Sequence, residues 1–225
     1  MNIFRHIAAL LWKDVLLELR TKEMLSSMLI FALMVVIIFN FVFDPGSPFL
    51  RQATPGILWV AFTFAGVLGL NRSFVHEVDK GCLKGLMLCP VDRSAIYLGK
   101  VTGNVIFIAL VEMITLPIVV VFFNLSVTGQ LPLLIAVVFL GTLGFAAVGT
   151  LFSAIAANTR TREIMLPVLL FPITVPLLIA AVKSTGLILA GRPGSDITGW
   201  VKLLVAFDLI FLVVSVLTFD YVIEE

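Results

Sequence analysis

Charge is scarce in this sequence. Only 13% of its 225 residues are Asp, Glu, Lys or Arg, whereas a soluble domain carries roughly 25%. With a mean hydropathy of +1.16, the composition excludes a soluble globular domain and identifies a multi-span membrane protein. The net charge is +1, so no bulk charge draws the chain to nucleic acid. Histidine and cysteine are nearly absent: His6, His76, Cys82 and Cys89. They form no CxxC, HExxH or CxxCH, which leaves no metal or covalent haem site to read and makes ordinary reduced thiols of the cysteines. A phosphate-binding GxxxxGK[ST] loop is also missing. Gly99-Lys100 is followed by Val101, and no glycine stands at Arg93 or Ser94. There is no GxSxG, and the spans offer no nucleophile with its base. The expectation is a chain that binds no cofactor and is not an enzyme; energy, if used, arrives from another chain.

What is present is apolar and helical in its spacing. Six runs are long enough to cross a hydrocarbon core about 30 Å thick: residues 25–43, 55–70, 101–123, 132–157, 164–182 and 200–223. Asp44-Pro45-Gly46-Ser47-Pro48 breaks the first. Thr54-Pro55 reads as an N-cap with proline at the first helical position of the second. The stretch 183–199 is polar and Gly-rich around Leu187–Ala190, and is expected to lie over the end of the bundle. Before the spans, residues 3–23 repeat Phe4, Ile7, Ala8, Leu11, Val15 and Leu19 at helical spacing. Arg5, His6, Lys13 and Arg20 lie opposite, with Asp14 at the edge and Glu18–Lys22 as an i,i+4 pair. This is an amphipathic helix in the headgroup plane, or a solvated helix packed on a partner. The first long apolar run starts only near Leu25, so the beginning of the chain does not read as a cleavable signal. The fold expected is all-α and polytopic, one transmembrane domain over 1–225.

The one long charged interval beyond the N-terminal helix is 71–100, holding Arg72, His76, Glu77, Asp79, Lys80, Lys84, Asp92, Arg93 and Lys100. With six spans, Arg51, Lys183, Arg192 and Lys202 fall on one side and the other eleven of 15 basic residues on the opposite one. The excess marks the cytoplasmic side, where both ends and the 71–100 loop should lie. Trp59 and Trp200 would mark the outer interface, Tyr97 and Tyr221 the inner one. In the loop, Leu83, Leu86, Met87 and Leu88 form an apolar patch that suits a partner's groove, or packs on the chain's own N-terminal helix. Pro90 stops any helix before it.

Within the spans, Glu112 lies at mid-depth, and Asp208 in the outer half of the sixth. An ionisable side chain there is costly and faces a cavity, or is held as a buried carboxyl across helices. Gly141, Gly144 and Gly149 allow close helix approach in the fourth span. Pro167, Pro172 and Pro176 each remove an amide donor from the fifth, which should be kinked.

The pattern Glu77-x3-Gly81-x-Leu83-x2-Leu86-x3-Pro90-x2-Arg93-x2-Ile96-x2-Gly99-Lys100 resembles the loop between spans two and three of type-2 ABC export permeases. GTLFSAIAANTRTREIMLPVLLFPITVPLLIAAV (149–182), with LELRTKE near the start, is similar to the membrane B subunits of the bacterial cytochrome c maturation system, the haem exporter permeases. The resemblance implies the type-2 exporter fold and an inner-membrane location. It further implies that Glu77, Gly81, Leu83, Leu86, Pro90 and Arg93 belong to a coupling loop that docks a separate ATPase subunit. The complex would hold a second copy of the chain, membrane partners C and D and the periplasmic haem carrier E, surrounded by membrane lipid. ATP would act through the partner and haem would be the substrate. Nothing in composition or spacing shows haem. A permease, a non-transporting scaffold that relays ATPase motion, and a permease for another substrate all remain open; an intramembrane enzyme does not fit.

Overall fold

The computed structural model describes residues 3–44, 46–79, 92–125, 130–157, 159 and 161–224. Among the described residues seven helices run in order: α1 Ile3–Thr21, α2 Glu23–Val42, α3 Pro48–Asp79, α4 Arg93–Phe122, α5 Leu131–Ala157, α6 Arg162–Leu189 and α7 Gly194–Glu224. Regular structure among the described residues is all helical, and α2 to α7 are long and apolar enough to cross a membrane.

Local chemistry explains the boundaries. Lys22 adopts φ 55° between α1 and α2, and the Glu18 carboxylate accepts the Leu25 amide at 2.8 Å, capping α2. Glu18 thus caps the next helix, in place of the expected pairing with Lys22. The α3 start differs from expectation in an instructive way. Ser47-Pro48 and Thr54-Pro55 carry the same signature, but only the first is a helix start. The Ser47 hydroxyl accepts the Leu50 amide at 3.2 Å. Thr54 instead donates to the Leu50 carbonyl at 2.7 Å, inside the helix, and Pro55 is accommodated within α3. At the other end α3 runs to Asp79 and α4 begins at Arg93. Both legs of the 71–100 interval are therefore helical, and the connection between them is 80–92.

The 183–199 stretch also differs. It completes α6 and opens α7, joined only through 190–193. Its polar residues do not mark a loop because the bundle satisfies or encloses them: Ser184 and Thr185 are buried, and Thr185 Oγ1 accepts the Trp59 indole N–H at 3.0 Å. Gly191, at φ 67°, supplies the left-handed residue that ends α6. Trp59, 3% exposed, is accordingly a core residue and not part of an interfacial belt. Tyr97 is likewise fully buried and donates to the Ala147 carbonyl at 2.9 Å, whereas Tyr221 is exposed.

Helix α5 is the hub, packing on α3, α4, α6 and α7. Its glycines make this possible. A Cβ at Gly141 would enter the Trp59 ring, and one at Gly149 would strike Leu70, both on α3. One at Gly144 would meet Asp208, Leu177 and Phe207 on the opposite flank. Two cross-links fix the register: Asn104 donates to Thr150 Oγ1 at 2.8 Å, and the Ser153 hydroxyl donates to the Leu70 carbonyl at 2.5 Å. Exposed Ile, Leu, Val and Phe side chains on α2 and α7 form the lipid-facing wall.

Candidate functional site

The end of α3 and the start of α4, which bound 80–92, lie at the end of the bundle where α1 and the last turns of α7 also lie. Gly81, Leu83, Leu86 and Pro90, with Lys80, Lys84, Met87 and Leu88, fall outside the described residues. Glu77 sits on the last turns of α3, and its side chain is likewise outside them. Arg93 is described, as the first residue of α4; its guanidinium donates to the Asp220 carbonyl of α7 at 3.1 Å. It thus ties the start of α4 to the C-terminal helix.

Near these helix ends the helices are locked by buried aromatic and charged groups. Phe74 of α3, Tyr97 of α4 and Phe219 of α7 are fully buried; the Tyr97 and Phe219 rings lie 5.1 Å apart, those of Phe74 and Phe219 6.4 Å. Next to them Lys100 is only 3% exposed. Its ammonium lies 2.9 Å from Asp14 on α1. It donates to the Ser73 carbonyl on α3 at 3.1 Å and stands 5.4 Å from the Phe74 ring centre. A buried charge is tolerated when paired and hydrogen-bonded, and a ring face adds attraction. Asp14 also lies 3.2 Å from Lys13.

The N-terminal helix therefore has two working faces. Leu10 is buried and Gly99 of α4 lies under it, leaving about 3.2 Å for a Cβ. Leu11 lies over Gly103, and Asp14 and Glu18 point inward with them. Phe4, Trp12 and Leu19 are exposed on the other side, as an apolar outer face. Asp14, expected at the polar edge, is instead on the bundle-facing side. A cavity of about 640 Å³ opens beside this contact, lined among others by Asp14, Glu18, Glu23, Arg72, Lys100 and Glu163. Arg72 and Glu23 pair across its exposed rim at 2.8 Å.

The two carboxyls expected within the spans lie on opposite sides of α5, near its middle. Glu112, 4% exposed, receives the Thr142 hydroxyl at 2.6 and 2.8 Å on its two oxygens. Asp208, 3% exposed, faces Gly144; neither of its oxygens has a hydrogen-bond partner among the described residues. Because α7 starts at Gly194, Asp208 falls at the middle of its helix and not in an outer half. Thr142 and Gly144 are two residues apart, hence roughly 200° around the helix and about 3 Å along it. Pro167, Pro172 and Pro176 all lie inside α6. They leave the carbonyls of Glu163, Val168 and Pro172 without their i+4 amides. No group of three or more His, Cys, Asp or Glu poised for a metal occurs among the described residues.

Sequence reasoning missed Thr142 and the Asp14–Lys100 pair. Thr142 is one hydroxyl in a run of small residues, and the pair joins positions far apart in the chain, so neither leaves a local signal.

Comparison with known proteins adds a family. A family model described as "CcmB protein" matches residues 5–224. Among curated relatives, "Heme exporter protein B" of Pseudomonas aeruginosa is 26% identical over 208 residues, covering 92% of this chain and 92% of that one. The protein of the same name from Rhodobacter capsulatus is 29% identical over 171 residues, 76% of this chain and 78% of that one. The Escherichia coli K12 protein of that name is 33% identical over 97 residues, 41% of this chain and 44% of that one.

Proposed function

Because the chain belongs to the CcmB protein family, we propose that it is the membrane-spanning permease subunit of an ABC-type haem export complex serving cytochrome c maturation. It couples ATP hydrolysis by a separate ATPase subunit to haem export, or to release of the haem-loaded carrier. The observation that carries this reading is the family match over nearly the whole chain, joined to six apolar helices. Relatives are named heme exporter protein B. The helix ends that bound 80–92 stand at the end of the bundle that carries both α1 and the end of α7, and the excess of Lys and Arg supports placing that end in the cytoplasm, where ATP is. The membrane is then the bacterial inner membrane. The partners are the ATPase subunit, a second copy, membrane subunits C and D, and carrier E on the far side.

One observation favours a second reading, in which the chain relays ATPase motion to a haem-handling neighbour. The glycines of α5 seat Trp59, Leu70, Asp208 and Leu177 so closely that the middle of a single copy is closely packed there. Haem flux in proteoliposomes holding only this chain and its ATPase separates the two.

Docking is tested at the loop. Burying an aliphatic side chain is worth roughly 1.5–3 kcal/mol, and an exposed ion pair about 0–1 kcal/mol. Leu86→Asp should therefore strongly weaken pull-down of the ATPase subunit, while Lys84→Ala should do little. Glu77→Lys should disturb coupling more than binding. If Leu86→Asp binds and couples like wild type, the docking surface lies elsewhere.

A further inference from the structure

We infer that Lys100 is a positioning residue that fastens the N-terminal helix and both legs of the 80–92 loop into one moving unit. The inference rests on the reading of that loop as the ATPase contact. Lys100 lies seven residues into α4, the leg that leaves the loop. Its ammonium reaches Ser73 O at 3.1 Å on α3, the leg that enters it. The same ammonium reaches Asp14 at 2.9 Å on α1. One buried side chain of α4 thus reaches two other helices, and α3 and α4 hold the ends of the same short connection.

The packing around it has the same sense. Helix α1 is followed in the chain by α2, yet it packs mainly along α4 and only slightly on α2. The cavity of about 640 Å³ beside it is lined by residues of α1, α2, α3 and α4, with Glu163 of α6. Gly99 and Gly103 let α1 lie directly on α4, with Leu10 and Leu11 over them. Trp12, Phe4 and Leu19 meanwhile project from its outer face. A push on the loop is therefore carried into α1 through a buried ion pair, and α1 carries it to the membrane surface with its exposed apolar side chains.

The test uses the full chain in its complex with the ATPase subunit. Lys100→Met and Asp14→Asn each break the link while nearly keeping shape. Both should still pull down the ATPase subunit and sustain ATP hydrolysis, while cytochrome c maturation falls about tenfold, within the usual range of coupling between sites. The charge-exchanged double variant, Asp14→Lys with Lys100→Asp, should recover part of the loss. A direct readout comes from spin labels at Trp12 of α1 and Ile106 of α4, both exposed, with Cys82 and Cys89 replaced by Ser. The distance distribution should be narrow in the parent and broad in Lys100→Met.

A narrow distribution with normal maturation overturns the inference. Loss of ATPase binding overturns it too, because Lys100 would then shape the docking surface and not transmit movement. If Lys100→Met does not accumulate, Asp14→Asn decides by the same criteria; failure of both to accumulate makes the pair purely structural. If the parent chain itself brings down no ATPase subunit, the proposed function fails instead, and the label distances still test the link.

Discussion

The hydroxyl of Thr142 donates to both carboxylate oxygens of Glu112, at 2.6 and 2.8 Å, and so ties the middle of α5 to α4. With one donor supplied, Thr142→Val would leave a buried carboxyl unsatisfied at a cost of about 1–3 kcal/mol. Replacing both partners by apolar residues, Glu112→Leu with Thr142→Val, should recover most of that loss. Glu112→Gln keeps an acceptor for the hydroxyl and should assemble normally. Unfolding midpoints in detergent check all three. If Glu112→Gln also matures cytochrome c normally, the carboxyl has a structural role only.

On the other flank of α5, Gly144 and Asp208 are complementary in size. Gly144→Ala should cost about 1–3 kcal/mol by overpacking. Combining it with Asp208→Ala should return part of this, with a coupling energy of about 0.5–3 kcal/mol. Additive single and double variants in the same detergent assay would show that the two do not share a site.

Helix α6 should bend around Pro172. The amide missing there leaves the Val168 carbonyl without its i+4 donor, while the Thr174 hydroxyl donates nearby to Leu170 O at 3.0 Å. Pro172→Ala restores the amide, so the variant should melt higher. It should also mature less cytochrome c if the bend is part of the working cycle. A lower melting point would show that the neighbours are built around the proline.

The number of spans was legible because length and hydropathy alone decide it. Boundaries were less so. Thr54-Pro55 imitates a helix start that Ser47-Pro48 provides, and nothing in the dipeptides says which hydroxyl will find an amide. The 183–199 stretch looked like a connection because Lys183, Ser184 and Thr185 are polar, but Trp59, far away in sequence, gives Thr185 its partner. Counting placed Asp208 in an outer half, because the first turn of α7 from Gly194 looked like part of a connection; that Glu112 and Asp208 flank one helix could not be read at all. The Asp14–Lys100 pair was hidden for the same reason. Asp14 lies near the polar edge of an amphipathic pattern, and only the packing of α1 on Gly99 and Gly103 turns it inward.

The most direct test of the central claim is cytochrome c maturation in a strain lacking its own heme exporter protein B and supplied with this chain. Restored haem-stained cytochrome c, lost again when Leu86→Asp replaces the parent at equal membrane abundance, is the result predicted. Full abundance of the parent chain with no cytochrome c, in the presence of the matching ATPase subunit, would contradict the account.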